Sequence, residues 1–399
     1  MRVFNSLGSN YDFKFVLNSL FALSEDRQVL QLKQTLEEKY NGEAVLFYKG
    51  RQAITFALDS LNLPKNSLVA FTGFTCYAVY KAIEDAGLRP VPIDINESLN
   101  FSANELNKTI KNFDVKVLII QNTLGYPCNI DEILKICKEK NIILIEDLAH
   151  CVGTVYENGK EAGTIGDFTV LSFSQDKIID GISGGALIVR RPRRLNAQNL
   201  RGWKNKNPSI GKQLTNRIYP FLTLLIRSTY DFGFGKLLHF ILKKTKLLSS
   251  PMQESFYKET SLPSWYASLI NYQFENLNKE LKHRREIANL YKKKLSNKIV
   301  NNEITDLVDL STNLRFPIFT KNRKDLIEYL KKNNVYASDI WYDFPIAPKK
   351  YLGELNFETS LPNSKRISQE ILNLPTHKNV SEKQAIYLFG LINKWGGRA

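Results

Sequence analysis

Cysteine and histidine are scarce in this chain of 399 residues, which contains four of each. The cysteines form no C-x-x-C pair, and no His/Cys spacing is typical of a metal site. We therefore expect reduced thiols, no bound metal and a cytoplasmic protein. The N-terminus lacks the apolar stretch and cleavage site of a secretory signal, so no secretion is predicted. The four thiols belong to Cys76, Cys128, Cys137 and Cys151.

Acidic residues are almost missing from one stretch of the chain. Residues 190–250 contain fourteen Lys and Arg but a single acid, Asp231, and so carry +13 of the net charge of +15. The stretch also has two apolar runs, 218–226 and 237–242, which are shorter than the roughly 20 residues that span a bilayer. Short apolar runs beside basic residues are typical of helices that lie on anionic lipid. We predict a peripheral contact with the inner face of a membrane.

Other interpretations of this basic stretch stay open. It could form a helical flap at a dimer interface, or its charge could attract the phosphates of a substrate. Its Leu and Phe content exceeds what attraction of phosphates requires, which favours the membrane. Nucleic acid has the complementary charge, but the chain has no recognisable nucleic-acid-binding module, so no nucleic-acid partner is predicted.

The chain as a whole has the composition of a folded enzyme, with 43% apolar and 24% charged residues. Its length suits a large domain followed by a smaller one. Between residues 67 and 190, apolar strands alternate with helical segments, which predicts an α/β fold with a mostly parallel sheet. Further on, one long helix is predicted from Ser264 to Tyr291.

Lys177 has a setting that no other lysine in the chain shares. The apolar strand 168–173 delivers the hydroxyl of Ser172, and Lys177 follows five residues later. A glycine-rich stretch, 181–185, then allows the backbone to approach a bulky ligand. Most lysines after a strand are simply solvated. This combination instead favours a lysine that forms a Schiff base.

A second signal lies about thirty residues upstream, where the apolar run 142–145 ends in Glu146, Asp147 and then His150. A strand this hydrophobic is buried on both faces of a parallel sheet, and polar residues at its carboxyl end face the crevice that binds ligands. Asp147 is therefore predicted to lie in a binding site. Pyridoxal phosphate requires a lysine for its aldehyde, an acid for its ring nitrogen and donors for its phosphate. The sequence supplies all three.

Four blocks of the sequence resemble the DegT/DnrJ/EryC1/StrS family of sugar aminotransferases, from about residue 40 to 395 with the basic stretch as an interruption. The resemblance implies an α/β fold of fold-type I, with a mostly parallel seven-stranded sheet in a large domain, residues 1–270. The basic amphipathic insertion spans about 195–260, and a connecting helix and a smaller α+β domain follow in 271–399. The four blocks are residues 50–54, residues 146–150, Ser172 and Phe173 with Lys177, and residues 374–377.

The resemblance also implies roles for single residues. Lys177 holds the cofactor and, once released, serves as the general base. Asp147 pairs with the ring nitrogen, and Ser172 donates to the phosphate. His150 stands where the family usually has Gln, near the ring oxygen or the carbonyl carbon of the cofactor. His377 could contact substrate, but a His in a Pro-bounded turn favours a structural role.

More cofactor contacts are predicted around the ring and the phosphate. The family usually has an aromatic residue over the ring where this chain has Cys76, so Phe74 or Tyr77 is the candidate, unless both rings belong to the core. Asn122, after the strand 115–120, is a candidate donor to the ring oxygen or else a turn-capping residue. The helix whose N-terminal amides cradle the phosphate begins with Gly50, Arg51 and Gln52.

The implied reaction is transamination. An amino acid, glutamate, leaves its nitrogen on the cofactor, and a keto-sugar for surface polysaccharide collects it. The sugar is expected to be linked to a nucleotide, or to a lipid if the basic stretch contacts membrane. Lysine at position 177 favours amination, since the dehydratases of the family have His there. Homodimerisation is implied, because the family shares its site between subunits.

Two alternatives to a transaminase remain open. One is a pyridoxal-phosphate lyase such as a desulfurase, with Cys76 or Cys151 as the sulfur carrier, although neither lies in a Gly/Ser-rich mobile loop. The other is an inactive scaffold of the same fold on the membrane surface.

Overall fold

The computed structural model describes residues 1–190, 206–245, 248, 261–337 and 341–397. Its strands are short, and most of them lie in the first half of the chain. In chain order they are β1 (Val3–Phe4), β2 (Glu43–Phe47), β3 (Leu68–Thr72), β4 (Thr75–Cys76), β5 (Arg89–Ile93), β6 (Val115–Ile120), β7 (Ile143–Asp147), β8 (Phe168–Ser172), β9 (Gly185–Val189), β10 (Phe316–Phe319), β11 (Val335–Tyr336), β12 (Ile346–Ala347) and β13 (Ile371–Leu374).

Seven strands form one central sheet in the order β2-β9-β8-β7-β6-β3-β5. Neighbouring strands from β8 to β5 pair in parallel, whereas β9 is antiparallel to both β2 and β8. β6 and β7 consist largely of buried Val, Ile and Leu, as expected for strands covered on both faces. The predicted α/β class and mostly parallel seven-stranded sheet are confirmed.

Helices surround this sheet and make up most of the C-terminal part. The predicted helix start at Gly50 agrees with the structure. In chain order the helices are α1 (Phe13–Phe21), α2 (Asp26–Tyr40), α3 (Gly50–Ser60), α4 (Tyr77–Asp85), α5 (Ala103–Asn112), α6 (Ile130–Glu139), α7 (Ile210–Ser228), α8 (Phe234–Lys244), α9 (Ser264–Glu275), α10 (Leu277–Lys294), α11 (Asn302–Thr305), α12 (Arg323–Lys332), α13 (Pro362–Glu370) and α14 (Glu382–Gly396).

The single long helix predicted from Ser264 to Tyr291 is in fact two helices. Asn276, with φ −99° and ψ 1°, separates α9 from α10. Its side-chain amide donates to the carbonyl oxygen of Tyr272 at 2.7 Å. Side chains such as Asn compete with the backbone for hydrogen bonds inside a helix, which accounts for the break.

Three apolar cores hold the described part of the chain together. Two of them cover the opposite faces of the central sheet, because alternate side chains such as Leu118 and Ile119 enter different cores. The third lies in the C-terminal part, where the antiparallel pair of β10 and β13 packs with α10, α12 and α14. The predicted domain boundary after residue 270 falls inside α9. We propose α10 as the connection, since Leu281 packs on the first core and Ile287 on the third.

Part of the basic stretch forms the helix pair α7 and α8, which packs against α1. The guanidinium of Arg217 donates to the carbonyl oxygen of Ser19 at 3.4 Å and lies 4.4 Å from the ring of Trp265. No helix in the described ranges is long and apolar enough to cross a membrane. Residues 191–205, 246–247 and 249–260 of the predicted insertion lie outside the described residues.

His377 is buried, does not line the cavity described below, and donates from Nε2 to the carbonyl oxygen of Phe4 at 3.0 Å. This placement favours the structural role. Burial, with the charges of Arg315 and Arg284, lowers the pKa of His377 well below 6.5.

We expect His377→Gln to weaken the loss of stability in acid. The unfolded chain binds a proton at this imidazole below about pH 6.5, whereas the folded chain keeps the imidazole neutral. The free energy of unfolding therefore falls as the pH drops below that value, by about 1.4 kcal/mol per pH unit for this one group. Gln keeps an N–H donor for Phe4 without titrating. Urea unfolding of both proteins between pH 7.5 and pH 5.5 measures the difference in slope, and parallel slopes would contradict the assignment.

Candidate active site

A cavity of about 690 Å³ opens beside the carboxyl ends of three neighbouring parallel strands. Gln121 follows β6, Asp147 ends β7 and Ser172 ends β8, and all three line the cavity. Side chains at this edge of a parallel sheet face the crevice where such folds bind ligands. The N-terminus of α3 adds Gly50, and the loop after β8 adds Lys177. The structure thus brings the main predicted residues together.

Lys177 lies in the loop between β8 and β9. Its carbonyl oxygen accepts a hydrogen bond from Nδ2 of Asn10 at 2.6 Å, and its Nζ lies 4.9 Å from the centroid of the Trp341 ring. Burial lowers the pKa of Lys177, although the Cys76 thiol and the Asp147 carboxylate oppose the shift. A larger fraction of the amine is therefore neutral and nucleophilic than in water.

Asp147 presents its carboxylate in a fixed orientation. Oδ1 accepts from the backbone N–H of Ala149 at 2.9 Å, and Oδ2 accepts from Nε2 of Gln121 at 3.2 Å. Oε1 of Gln121 in turn accepts from the hydroxyl of Thr75 at 2.9 Å, which sets the direction of the amide. Burial raises the pKa of Asp147, while the Ala149 N–H and the charge of Lys177 oppose the shift. A cation placed beside this carboxylate would therefore be strongly favoured.

His150 is buried and lines the same cavity. The backbone N–H of Leu124 donates to its Nδ1 at 3.3 Å, so a neutral ring carries its proton on Nε2. Burial, followed by the charges of Lys177 and Arg315, lowers the pKa of His150 well below its usual value. Within the described part of the chain, Nε2 makes no hydrogen bond. His150 can thus act as a neutral N–H donor, as a Gln amide does.

The N-terminus of α3 lies against Ser172. A Cβ on Gly50 would stand 2.7 Å from the Cβ of Ser172, so only glycine permits this approach. Gln52 accepts the backbone N–H of Lys49 at 2.9 Å with its side chain and so caps the helix. Arg51 lines the cavity from the same turn. A helix N-terminus beside a hydroxyl and a guanidinium is suited to bind a phosphate.

Glu146 precedes Asp147 on β7 but faces the interior. Its carboxylate is fully buried and accepts three backbone N–H bonds from residues 163–166 at 2.6–2.8 Å. The Arg190 guanidinium lies 3.4 Å from the same carboxylate. Successive side chains of a strand face opposite sides. Glu146 therefore fixes the loop before β8, while Asp147 faces the cavity.

The model of the DegT/DnrJ/EryC1/StrS aminotransferase family matches residues 13–205 and 252–392, well over half of the chain. The chain belongs to this family. The resemblance of the sequence blocks is therefore confirmed, and the chain is a pyridoxal-phosphate-dependent aminotransferase of fold-type I. The matched ranges leave out residues 206–251, which contain α7 and α8.

Several members of the family are similar to this chain over nearly its whole length. The GDP-perosamine synthase of Escherichia coli O157:H7 is 23% identical over 95% of this chain and 93% of its own length. The UDP-4-amino-4,6-dideoxy-N-acetyl-beta-L-altrosamine transaminase of Campylobacter jejuni serotype O:2 is 26% identical over 93% and 92%. The solved structure of Helicobacter pylori PseC, an aminotransferase involved in the biosynthesis of pseudoaminic acid, has a TM-score of 0.73 at 18% identity, with 96% and 95% covered.

The cavity fits the cofactor of this aminotransferase family. An amine for the aldehyde, a carboxylate for the ring nitrogen and an anion site for the phosphate lie along one cavity, at Lys177, Asp147 and the α3 N-terminus with Ser172. When bound, pyridoxal phosphate supplies the electron sink and carries the amino group. The roles of the individual side chains stay predictions.

Besides Gln52, two predicted cofactor contacts, Asn122 and Phe74, are not among the cavity-lining residues. Asn122 donates from Nδ2 to the hydroxyl of Tyr156 and accepts the backbone N–H of Cys128 with Oδ1, both at 2.9 Å. The ring of Phe74 stacks on Tyr342 with centroids 4.2 Å apart. Both side chains are thus engaged inside the protein, as in the turn and core interpretations.

Tyr77, the other candidate ring, also lies outside the cavity lining. It stacks on Tyr351 with centroids 4.2 Å apart and donates to Glu354. Trp341 instead lines the cavity, with its ring centroid 4.9 Å from Nζ of Lys177. We propose that Trp341 takes the place of the family's ring over the cofactor.

The sequence did not predict several other cavity residues. Some of them come from the N-terminal segment and others from α7 and α8, and neither region contains a short motif. The only local signal is the pair of His239 and Lys243, one turn apart on α8. The residues missed by sequence reasoning include Phe4, Ser6, Leu7, Tyr219, Tyr230, His239, Lys243, Trp341 and Tyr342.

The cysteines are free thiols with different access. Cys76 lines the cavity, and its Sγ accepts the backbone N–H of Ala78 at 3.5 Å. Cys151 is fully buried, and burial raises its pKa well above the usual value, which opposes reactivity. Membership of the aminotransferase family favours transamination over the desulfurase reaction.

Proposed function

We propose that this aminotransferase moves an amino group from glutamate to the keto group of a nucleotide-linked sugar for surface polysaccharide. The observation that carries the proposal is the convergence of Lys177 and Asp147 on one cavity beside the N-terminus of α3. A primary amine held near a carboxylate is suited to bind the cofactor and then to move a proton.

The names of the relatives support the choice of substrate. The relatives from Escherichia coli and Campylobacter jejuni are named for a GDP-linked and a UDP-linked amino sugar. The Campylobacter name places an amino group on carbon 4 of a 6-deoxy sugar. We propose a 4-keto-6-deoxy sugar on a nucleoside diphosphate as the acceptor.

Each side chain at the cavity has a proposed task. Lys177 carries a proton between carbon and nitrogen after it is released from the cofactor. Asp147 keeps the ring nitrogen protonated, which makes the cofactor a better electron sink. Ser172 and the first turn of α3 hold the phosphate. His150 donates Nε2–H to the ring oxygen, a bond that is independent of pH near neutrality because the imidazole stays neutral.

A lipid-linked sugar is the second candidate acceptor, and one observation favours it. α8 contributes His239 and Lys243 to the cavity and leaves Leu237 and Phe240 exposed on its outer side. A sugar on a membrane lipid would meet the cavity next to an apolar surface. The homodimer and a location at the inner face of the membrane stay proposals.

A labelled amino donor tests the proposed reaction. The purified protein with cofactor is incubated with nitrogen-15 glutamate and, in separate reactions, GDP- and UDP-linked 4-keto-6-deoxy sugars or a lipid-linked keto-sugar. We expect the label in the amino group of a nucleotide-linked product, detected by mass spectrometry. Label only in the lipid-linked product would select the second candidate. Label in neither product would overturn the proposal.

A further inference from the structure

The outer sides of α1, α7 and α8 are unusually apolar. Thirteen of the seventeen large apolar side chains that are exposed in the described part of the chain lie within residues 13–23 and 210–241. These two ranges are far apart in sequence but adjacent in the fold, because α7 packs on α1 and is followed directly by α8. We call the outer sides of these helices the outer helical face.

Each of the three helices contributes a regular stripe. On α1 the exposed residues are Phe13, Leu17 and Phe21, spaced four apart, and Phe21 is 73% exposed. Residues four apart lie on the same side of a helix. The stripe is therefore a continuous side of α1, opposite the buried Phe15 and Ser19.

α7 is apolar on two sides. Tyr219 and Ile226 are buried against the protein, while Ile210, Leu214 and Ile218 form an exposed stripe at the same spacing of four. A helix that is apolar on both sides is normally covered on both sides. Within the described chain, the outer side of α7 is exposed, although its apolar residues are typical of a side that is covered.

α8 continues the same surface. Phe234, Leu237 and Ile241 are exposed at spacings of three and four, and Phe240 beside them is 64% exposed. The start of α8 is held close to α7, since the backbone N–H of Gly235 donates to the carbonyl oxygen of Thr229 at 3.1 Å.

The positive charges around the outer helical face favour an anionic partner. Lys14, Lys236 and Lys244 are exposed on α1 and α8. The single acid of residues 206–245, Asp231, is paired with Arg2 at 2.8 Å. An apolar surface bordered by lysines complements anionic lipid headgroups above acyl chains. In a symmetric dimer the same face of a second copy would offer these lysines no further acid from residues 206–245, since Asp231 is already paired.

We propose that the outer helical face docks peripherally on an anionic lipid surface. The apolar stripes enter the boundary between headgroups and acyl chains, and the lysines contact the headgroups. α1 supplies part of this surface, although it lies outside the basic stretch. α7 and α8, which supply most of the face, lie outside the family match, whereas α1 lies within it.

Vesicle binding tests the proposal on the full-length protein, without reference to catalysis. The protein is sedimented with vesicles of phosphatidylglycerol and phosphatidylcholine, and with phosphatidylcholine alone. We expect at least roughly tenfold tighter binding to the anionic vesicles, weakened by salt. We expect the double variant Phe21→Ser and Phe240→Ser to lose at least roughly tenfold of that binding. The matched control is Leu352→Ser with Ile386→Ser, two exposed apolar residues elsewhere, which leaves binding unchanged.

A variant that changes only charged residues tests the proposal independently of the apolar variant. Lys236→Glu with Lys244→Glu removes two exposed cations, of which Lys236 lies 5.5 Å from the centroid of the Tyr230 ring, and Lys160→Glu is its control. We expect the first variant to lose anionic selectivity and the control to keep it. Absence of binding by the wild-type protein at low salt would overturn the proposal. So would loss of the dimer in the apolar variant with vesicle binding unchanged, because the face would then join two copies of the chain.

Discussion

Lys177→Ala is expected to abolish amino transfer, with a loss of at least roughly 10⁴-fold in rate. The substitution removes the amine that binds the cofactor and also the group that carries the proton. No other cavity residue replaces it, since the other lysines that line the cavity, Lys49 and Lys243, belong to the turn before α3 and to α8. Loss of a charge beside Asp147 would also raise the pKa of that carboxyl further.

Two measurements separate these tasks. Borohydride reduction should fix the cofactor to the peptide that contains Lys177 in the wild-type protein, and mass spectrometry should find no such adduct in the variant. Added alkylamines should restore part of the rate, because a free amine can carry the proton. Lys160→Ala, on the surface, is the control and keeps full activity. An adduct on a different lysine would show that Lys177 has been misassigned.

Asp147→Asn is expected to lower the rate by roughly 10³-fold while the cofactor stays bound, which corresponds to about 4 kcal/mol at the transition state. A neutral amide cannot stabilise a protonated ring nitrogen. It also disturbs its own neighbours, because the Ala149 N–H and the Gln121 amide both donate to Asp147. An Asn oxygen can accept only one of these bonds in place, and its NH₂ group then faces another donor.

Steady-state rates with saturating cofactor measure this loss, and the absorbance of the bound cofactor reports whether its ring nitrogen keeps the proton. Asp114→Asn, on an exposed carboxylate next to Lys116, is the matched control. Equal rates for Asp147→Asn and the wild-type protein would exclude the carboxylate from the reaction.

The sheet and the two main residues were predictable because their signals are local. The apolar runs of β6 and β7 identify strands buried on both faces, and a carboxylate at the end of such a strand faces the crevice. Lys177 follows Ser172 in a glycine-bounded loop that the sequence displays directly.

The choice between Gln121 and Asn122 was not predictable from the sequence. Both follow β6, and both have an amide that could reach a ligand. Asn122 adopts the left-handed conformation with φ 49°, and its side chain is held by Tyr156. Gln121 keeps the alternation of the strand and lines the cavity. The left-handed conformation of this one residue determines which of the two amides lines the cavity. The sequence of two neighbouring amides does not reveal that conformation.

Trp341 and the N-terminal residues were missed for another reason. Phe4 reaches the cavity because β1 pairs with β11, more than three hundred residues away in sequence. Trp341 lies between the short strands β11 and β12, and its contact with Lys177 depends on tertiary packing. Contacts of this kind depend on how distant elements assemble, which spacing within one motif does not report.

Glu146 and Asp147 are chemically similar neighbours, but the first is needed for a stable fold and the second for the reaction. Replacing Glu146 leaves three backbone amides, two of them buried, without their acceptor, so such variants would fail to accumulate in the cell. Replacing Asp147 leaves the loop intact, so those variants would accumulate as inert enzyme. A genetic screen that scores only the missing polysaccharide would record both positions as essential. It would not distinguish a variant that fails to accumulate from one that accumulates without activity.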